Sequence, residues 1–394
     1  MREIELAKGI YWVGVVDWNV RNFHGYSTPR GTSYNAYLVI DDKIALIDSV
    51  KGAYAEELLT NIRRYVDPAK IDYVVSNHAE PDHAAAIPVV MQAAPKATLV
   101  ASAKGHEALR LHFGADVDRW STRTVKTGES IALGRRTLEF ILTPMAHWPD
   151  SMFTYLSNEK ILFSMDAFGQ HIGSVERFDD ELGKATALQE ARTYYANILM
   201  YLTRPVQNAL KAAAHLDIEL LATSHGVMWR SYIAEIVERY QKWVAGEADV
   251  RACIVYETMW NSTEKLAMAI LQGLETEGVP ARVFRLDRSD ITTIASEILD
   301  CRGLLVGSST INNGMLPPVA GFLAYMKGLR PARKKAAVFG SYGWGKGACK
   351  AMLGELEATG IEITHPPFEV RYIPSEDDLA RAFELGREFA GQLR

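Results

Sequence analysis

The run Ser76-Asn77-His78-Ala79-Glu80-Pro81-Asp82-His83 places four potential metal ligands, His78, Glu80, Asp82 and His83, within six residues just past an apolar strand pattern. A strand end followed by a tight turn presents such side chains to one small volume, and imidazole with carboxylate suits first-row transition metals. One turn does not close a site, so partners must come from elsewhere. Three ligand-type residues follow β-patterned runs: His147 after Leu138–Leu142, Asp166 after Ile161–Ser164, and His225 after Ile218–Thr223. Loops at strand ends are where a sheet scaffold gathers its functional groups.

A second chemistry lies further along. After the strand pattern Ala252–Tyr256 comes Thr258-Met259-Trp260-Asn261-Ser262-Thr263, which runs into a helix pattern. Hydroxyls and backbone N–H groups at a helix N-terminus bind an anion without Lys or Arg, as a flavodoxin-like fold does for the FMN phosphate. The glycines of a Walker loop or a dinucleotide fingerprint are absent. Two more loops follow later strands: Gly307 to Gly314, with Ser309-Thr310-Ile311-Asn312-Asn313-Gly314, and Gly340 to Gly345, with Ser341-Tyr342-Gly343-Trp344-Gly345. Glycines there admit a flat ring system to the backbone, and Tyr342 or Trp344 can stack on it. Three such loops at the carboxyl ends of parallel strands outline an FMN crevice.

The elements that must position these groups fall into two styles. Up to residue 249, strand patterns (Tyr11–Val16, Ser33–Ile40, Ile44–Asp48, Tyr73–Ser76, Leu138–Leu142, Met152–Leu156, Ile161–Ser164) stand among helix patterns (Ala55–Tyr65, His106–Phe113, Ala187–Leu202, Val206–Leu216), which predicts two sheets with outer helices. From Ala252 onward, strand and helix alternate, the pattern of a doubly wound parallel sheet. The small polar stretch Ala245-Gly246-Glu247-Ala248-Asp249 reads as a linker, giving domains at 1–249 and 250–394.

Composition narrows the function class. At 394 residues two domains are expected, and a hydrophobic fraction of 48% with 23% charged residues is ordinary for a soluble globular protein. The net charge of −5, with no Lys/Arg run, argues against nucleic acid as a partner. The apolar stretches stop short of the roughly 20 residues of a spanning helix, and Met1-Arg2-Glu3-Ile4-Glu5 lacks a signal-peptide profile, so a cytoplasmic protein without a membrane role is expected. Cys253, Cys301 and Cys349 have no paired spacing and read as buried thiols.

The ligand spacing resembles the metallo-β-lactamase fold, an αββα sandwich whose first motif is normally His-x-His-x-Asp-His and binds zinc. Glu80 in place of the second histidine is similar to the flavodiiron proteins, in which the same sandwich holds two irons and a flavodoxin domain follows. The resemblance covers essentially the whole chain, and Trp260-Asn261 in the phosphate loop matches the flavodiiron variant. It implies that His78, Glu80 and His147 bind one iron, that Asp82, His83 and His225 bind the other, and that Asp166 bridges them. Nitrogen and carboxylate ligands in this number, without sulfur, exceed one tetrahedral zinc and suit an ion pair about 3.5–4 Å apart. The resemblance also puts His24, His171 and Tyr195 beside the site as proton donors or orienting groups.

The expected activity is reduction of O₂ to water or of NO to nitrous oxide, at non-haem diiron fed by FMN. The resemblance further implies a head-to-tail homodimer, alone or as a dimer of dimers, in which each FMN faces the partner's metals. It also implies a separate donor such as rubredoxin, since no Cys-x-x-Cys pair follows the flavodoxin pattern. The rival readings are a zinc hydrolase with a flavodoxin-like appendage and an FMN electron carrier without turnover.

Overall fold

The computed structural model describes residues 3–394 and divides into two compact units. One runs through Tyr194 and resumes over Leu202–Gln241; the other comprises Tyr195–Tyr201 and Lys242–Arg394. The changeover thus falls inside the helix Ile233–Ala245 rather than in the polar stretch after it, and a short internal segment is lent to the second unit.

The first unit is a sandwich of two mixed sheets. One sheet has the order Glu5–Ala7, Ile10–Trp12, Tyr37–Ile40, Ile44–Ile47, Tyr73–Val75, Thr98–Ala101, Ser121–Thr124, antiparallel over its first four strands and parallel from Ile44–Ile47 onward. The other has the order Ser130–Ala132, Thr137–Leu142, Met152–Leu156, Ile161–Met165, Leu220–Thr223. Alternate side chains of the first sheet serve two cores, as the period of two requires. Leu38, Leu46, Val74 and Leu99 pack against Leu58, Ile62, Val90 and Leu109 of the covering helices. Tyr37, Val39, Ile47, Val75 and Val100 meet Phe140, Met152, Phe163 and Ala222 of the second sheet. Strands covered on both faces carry nearly unbroken apolar runs, which explains their legibility in the sequence.

Two expected strands are each broken in two. Tyr11–Val16 becomes Ile10–Trp12 and Val15–Asp17, and Ser33–Ile40 becomes Thr32–Tyr34 and Tyr37–Ile40. The break falls at Gly14, where a Cβ would lie 2.3 Å from the Tyr34 carbonyl oxygen, so the chains cross where only glycine fits. The freed pieces Val15–Asp17 and Thr32–Tyr34 pair with each other in a small ribbon. The helix expected over Ala187–Leu202 stops at Tyr194; Tyr195–Leu199 forms a π-turn and Met200–Leu202 a 3₁₀ turn.

The second unit is the expected doubly wound sheet. Its parallel order is Ala281–Arg285, Asp249–Glu257, Cys301–Ile311, Lys335–Tyr342, with Glu362–Ile363 and Phe368–Arg371 both on the last of these. Numbered along the chain this is 2-1-3-4-5, the flavodoxin order. The helix Ile291–Asp300 has no counterpart in the sequence reading, because its Ile-Thr-Thr-Ile start is β-branched and weakly helical. Asp290 caps it through the Thr293 N–H. All three cysteines are buried free thiols. Among the described residues no helix is long and apolar enough to cross a membrane.

Candidate metal centre and flavin crevice

The strand Tyr73–Val75 ends just before His78, and Pro81 opens a single helical turn over Pro81–Ala84. Proline is suited to that first position, since its missing N–H has no partner there anyway. Glu80, in extended conformation, is the residue before the turn; Asp82 and His83 lie on it. His147 lies beyond the strand Thr137–Leu142, Asp166 directly after Ile161–Met165, and His225 two residues after Leu220–Thr223. Gly226 follows at φ +75°, where a Cβ would lie 2.4 Å from Gln170 Oε1.

These elements bring all the expected metal ligands together in two sets. His78 Nε2 lies 3.1 Å from Glu80 Oε2 and 3.5 Å from Asp166 Oδ2. His147 Nε2 faces the same two oxygens at 3.2 and 2.9 Å. His83 Nε2 lies 3.0 Å from Asp166 Oδ1 and 3.5 Å from Asp82 Oδ1. His225 Nε2 lies 3.3 Å from Asp166 Oδ1 and 3.2 Å from Asp82 Oδ2. One oxygen of Asp166 therefore faces each set; ligand atoms of His78, Glu80, His147 and Asp166 lie within 4.8 Å of one another, and so do those of Asp82, His83 and His225.

The cluster fits a pair of cations. Both carboxylate oxygens of Asp82, both ring nitrogens of His83 and Oδ1 of Asp166 are buried without a hydrogen-bond partner. Buried carboxylates in that state are costly unless a positive charge faces them. Protons fill that role in the metal-free protein. Burial opposes charge on His78, His83, His147 and His225, but the neighbouring carboxylates outweigh it and push all four imidazoles up, His225 to about 10. Asp166 is held well below the usual carboxylate range: burial acts against this, and His83, His147 and His225 prevail. A cation that displaces those protons inherits the same attraction, and nitrogen with carboxylate oxygen suits iron, manganese or zinc better than copper(I).

Groups behind the ligands aim them. His78 Nδ1 donates to Asp150 Oδ2 at 3.0 Å, and the same oxygen accepts the Ala79 N–H at 2.6 Å. His225 Nδ1 donates to the Ser33 carbonyl at 2.7 Å, from the ribbon that the break at Gly14 creates. Both bonds fix the tautomer that turns Nε2 inward. Beneath the turn, Asn77 donates from its backbone and its side chain to Asp48 at 2.7 and 2.9 Å, while Thr154 donates to Asn77 Oδ1. Burial pushes Asp48 up to about 6.

His24 sits on the hairpin Asn22–Phe23 with Tyr26–Ser27, its Nε2 2.6 Å from Glu80 Oε1. Its side chain is 59% exposed. His171 is enclosed between Tyr26 Oη at 2.7 Å and Thr32 Oγ1 at 2.8 Å, and burial pushes it well below the usual histidine range, so it is neutral. Tyr195 requires a correction. It packs on Trp243, with ring centroids 4.8 Å apart, in the second unit; the tyrosine beside the cluster is Tyr194, 4.9 Å from the His171 ring and 6.0 Å from His225. Tyr194 is the last residue of the helix Lys184–Tyr194 and Tyr195 opens the π-turn; consecutive positions on a helix of 3.6 residues per turn leave in different directions, so the two tyrosines face different surroundings. Phe23, 5.9 Å from His225, and Trp148, 5.0 Å from His78, add aromatic walls.

Sequence reading alone assigned no role to Asp150, Ser33, Tyr194, Tyr26, Thr32 or Asp48. Only Asp150 left a trace, three residues beyond His147 in the same loop. Ser33 acts through its carbonyl, which has no side-chain signature.

In the second unit the helix Ser262–Thr276 begins after Asn261, which has φ +63° and makes no side-chain cap. Its first N–H groups are therefore offered to an anion rather than to a capping oxygen. Thr258 Oγ1 is buried without a partner. Thr263 Oγ1 lies 3.0 Å from both Ser309 Oγ and Ser341 Oγ, which are 3.2 Å apart, so one hydroxyl from each loop meets in a triangle. Met259 donates its N–H to Ser309. Asn312 and Asn313, at φ +49° and +57°, make the tight turn between Thr310-Ile311 and Gly314-Met315. Trp260 and Trp344 are 88% and 92% exposed, and Lys346 Nζ lies 5.0 Å from the Tyr342 ring centre. Gly343 and Gly345 flank Trp344, and a Cβ at either would make only ordinary contacts, with Tyr372 at 3.4 Å and Asn313 Oδ1 at 3.6 Å. Uncapped amides, a partnerless hydroxyl and open aromatic groups at parallel strand ends fit a flavin phosphate and its ring.

A two-metal sandwich followed by a flavodoxin-like sheet defines a metalloflavoprotein. The ODP family beta lactamase model matches residues 32–226, and the flavodoxin model matches residues 254–386. The chain is 45% identical to the nitric oxide reductase of Moorella thermoacetica, over 99% of this chain and 98% of that protein. It is 41% identical to an anaerobic nitric oxide reductase flavorubredoxin of Escherichia coli, over 99% of this chain and 82% of that one. Among solved structures it is similar to rubredoxin oxygen:oxidoreductase from Desulfovibrio gigas, with TM-score 0.96, 37% identity and coverage of 100% and 98%. It is also similar to the flavodiiron protein of Giardia intestinalis, with TM-score 0.95, 34% identity and coverage of 100% and 97%. The chain belongs to the flavodiiron protein family.

Proposed function

We infer that this chain is an oxidoreductase that reduces O₂ to water and NO to nitrous oxide, with FMN and two non-haem irons as its cofactors. The observation that carries the reading is Asp166, whose two oxygens face two separate histidine–carboxylate sets. The residues that would hold the metals are His78, Glu80 and His147 on one side and Asp82, His83 and His225 on the other, with Asp166 between. The FMN phosphate would sit against Thr258 to Thr263, and its ring between Ser309 to Gly314 and Ser341 to Gly345. When bound, the metal pair supplies open coordination positions and two electrons, and the flavin supplies two more.

The side chains do the positioning. Asp150 and the Ser33 carbonyl hold two imidazoles in the required tautomer. Phe23, Tyr194 and Trp148 keep bulk water from the buried carboxylates. His24, close to Glu80 and reachable from solvent, is placed to carry a proton on Nε2 toward the site. His171, neutral between two hydroxyls, orients Tyr26 and Thr32.

The electron donor we propose is a rubredoxin-type protein, in keeping with the name of the Desulfovibrio gigas relative. We also propose a head-to-tail homodimer, working in the cytoplasm, with each FMN facing the partner's metals. The exposed Trp260 and Trp344 at the mouth of the flavin crevice support that dimer, since a partner would cover them. The hydrolase and electron-carrier readings find no favouring observation: Glu80 stands where the hydrolase motif has histidine, and the buried ligand cluster has no use in a carrier. The test is anaerobic reduction of the purified protein followed by separate O₂ and NO consumption assays, with iron and FMN measured. Consumption of neither gas by fully loaded protein would refute the reading.

A further inference from the structure

We propose that Asp150 makes the two metal positions unequal: its negative charge, relayed through the His78 imidazole, favours the ferric state at the position held by His78, His147 and Glu80. The inference rests on the diiron reading above. The inner groups of the two positions are near copies, each with two Nε2 atoms, one carboxylate of its own and one oxygen of Asp166. What stands behind them differs.

His78 Nδ1 donates to an anion, the buried carboxylate of Asp150. His225 Nδ1 donates to a neutral carbonyl, that of Ser33. His83 Nδ1 is buried and finds no hydrogen-bond partner among the described residues. A carboxylate on the far nitrogen makes an imidazole a stronger donor to its metal, and the added negative charge stabilises the more positive ion. With two irons bound, a single electron supplied by an external reductant would therefore favour the position of Asp82, His83 and His225.

Two other charges bear on the balance. His24 touches Glu80 Oε1 and draws the opposite way, but more than half of its side chain is in water, which screens it. Asp48 lies near the turn, yet both its oxygens are engaged by Asn77 and neither bonds an imidazole. Asp150 is the charged group with a direct, buried bond to the back of a ligand.

Asp150→Asn isolates this charge. Oδ2 accepts both bonds while Oδ1 is buried without a partner, so an amide oxygen can keep the two contacts with its nitrogen in the other place. The experiment is a mediator-coupled redox titration of full-length, FMN-loaded and iron-loaded protein, followed by EPR and Mössbauer spectroscopy, together with anaerobic Fe(II) binding. In the parent protein the half-reduced state should persist over a broad range of potential. In Asp150→Asn that range narrows, the largest half-reduced fraction falls at least about twofold, and one of the two ions binds about 10–100-fold more weakly. An unchanged or widened range, or equal weakening of both ions, overturns the proposal. Asp150→Ser, smaller and uncharged, carries the same test if the asparagine variant fails to fold. Parent protein that is folded and flavin-loaded but binds no iron pair refutes the diiron reading itself, a result distinct from a pair whose potentials ignore Asp150.

Discussion

At the metal cluster, ionisable side chains are packed out of water and held by bonds from behind; at the flavin crevice the contacts are backbone amides, small hydroxyls and indoles left open to solvent. The first arrangement stores charge that only a proton or a cation can neutralise. The second stores almost none and accepts its ligand by shape and by the helix N-terminus. The two cofactors should therefore be lost through different kinds of damage, and each can be removed without the other.

The largest effect is expected from Asp166→Ala. Both metal sets lose the oxygen they share, so iron content should fall to background and consumption of both gases by at least about 100-fold, a loss beyond that of an orienting group. FMN content should stay at parity. Elemental analysis and gas electrodes measure the outcome, and a variant with intact iron would break the contrast.

Next is the stability of metal-free protein against pH. The folded-state pKa of His225 is raised from 6.5 to about 10, so its stabilisation is fully present below pH 6.5 and disappears as pH rises through about 10. After chelation the melting temperature of the first unit should fall across that window, by about 2–4 °C for each kcal/mol lost. Iron-loaded protein should show a much flatter profile, because the metal has replaced the protons. Calorimetry at several pH values decides this; a metal-free melting point that rises with pH would contradict it.

A smaller effect belongs to the crevice. In Gly347→Ala the new Cβ would lie 2.1 Å from the Asn313 carbonyl oxygen and displace the Asn312-Asn313 turn. At about 1–3 kcal/mol for such overpacking, FMN should bind roughly 5–150-fold more weakly with iron unchanged. Thr263→Val is the mildest: it removes one corner of the hydroxyl triangle, about 1 kcal/mol, or roughly fivefold in FMN affinity. Fluorescence titration of the apoflavoprotein reads both.

The same contrast governs how much could be read from the chain alone. His78, Glu80, Asp82 and His83 are neighbours in sequence, and the strands ahead of His147, Asp166 and His225 are apolar runs, so residue type and pattern were enough to pick out the candidate ligands, and the family resemblance divided them between two positions. The alternation after Ala252 likewise revealed the parallel sheet. Legibility ended where backbone geometry decides. The crossing at Gly14 splits two strands that look continuous, and the ribbon it frees supplies the Ser33 carbonyl behind His225. The resemblance made Tyr195 the expected neighbour of the cluster, but Tyr194, the last residue of the regular helix, holds that place, and the helix expected through Leu202 gives way to a π-turn. Neither a crossing nor a π-turn has a residue signature strong enough to outvote periodicity.

The π-turn also bears on modularity. Asn197, within it, accepts a hydrogen bond from Tyr325 Oη and donates to the Thr292 carbonyl, so the flavodoxin-like body is completed by a piece of chain that lies some fifty positions upstream of its first strand. A gene fragment cut at the apparent linker would omit that piece. Evolutionary shuffling of this flavodoxin as an independent cassette, or its laboratory grafting onto another reductase, would have to carry the borrowed turn along or find a substitute for it.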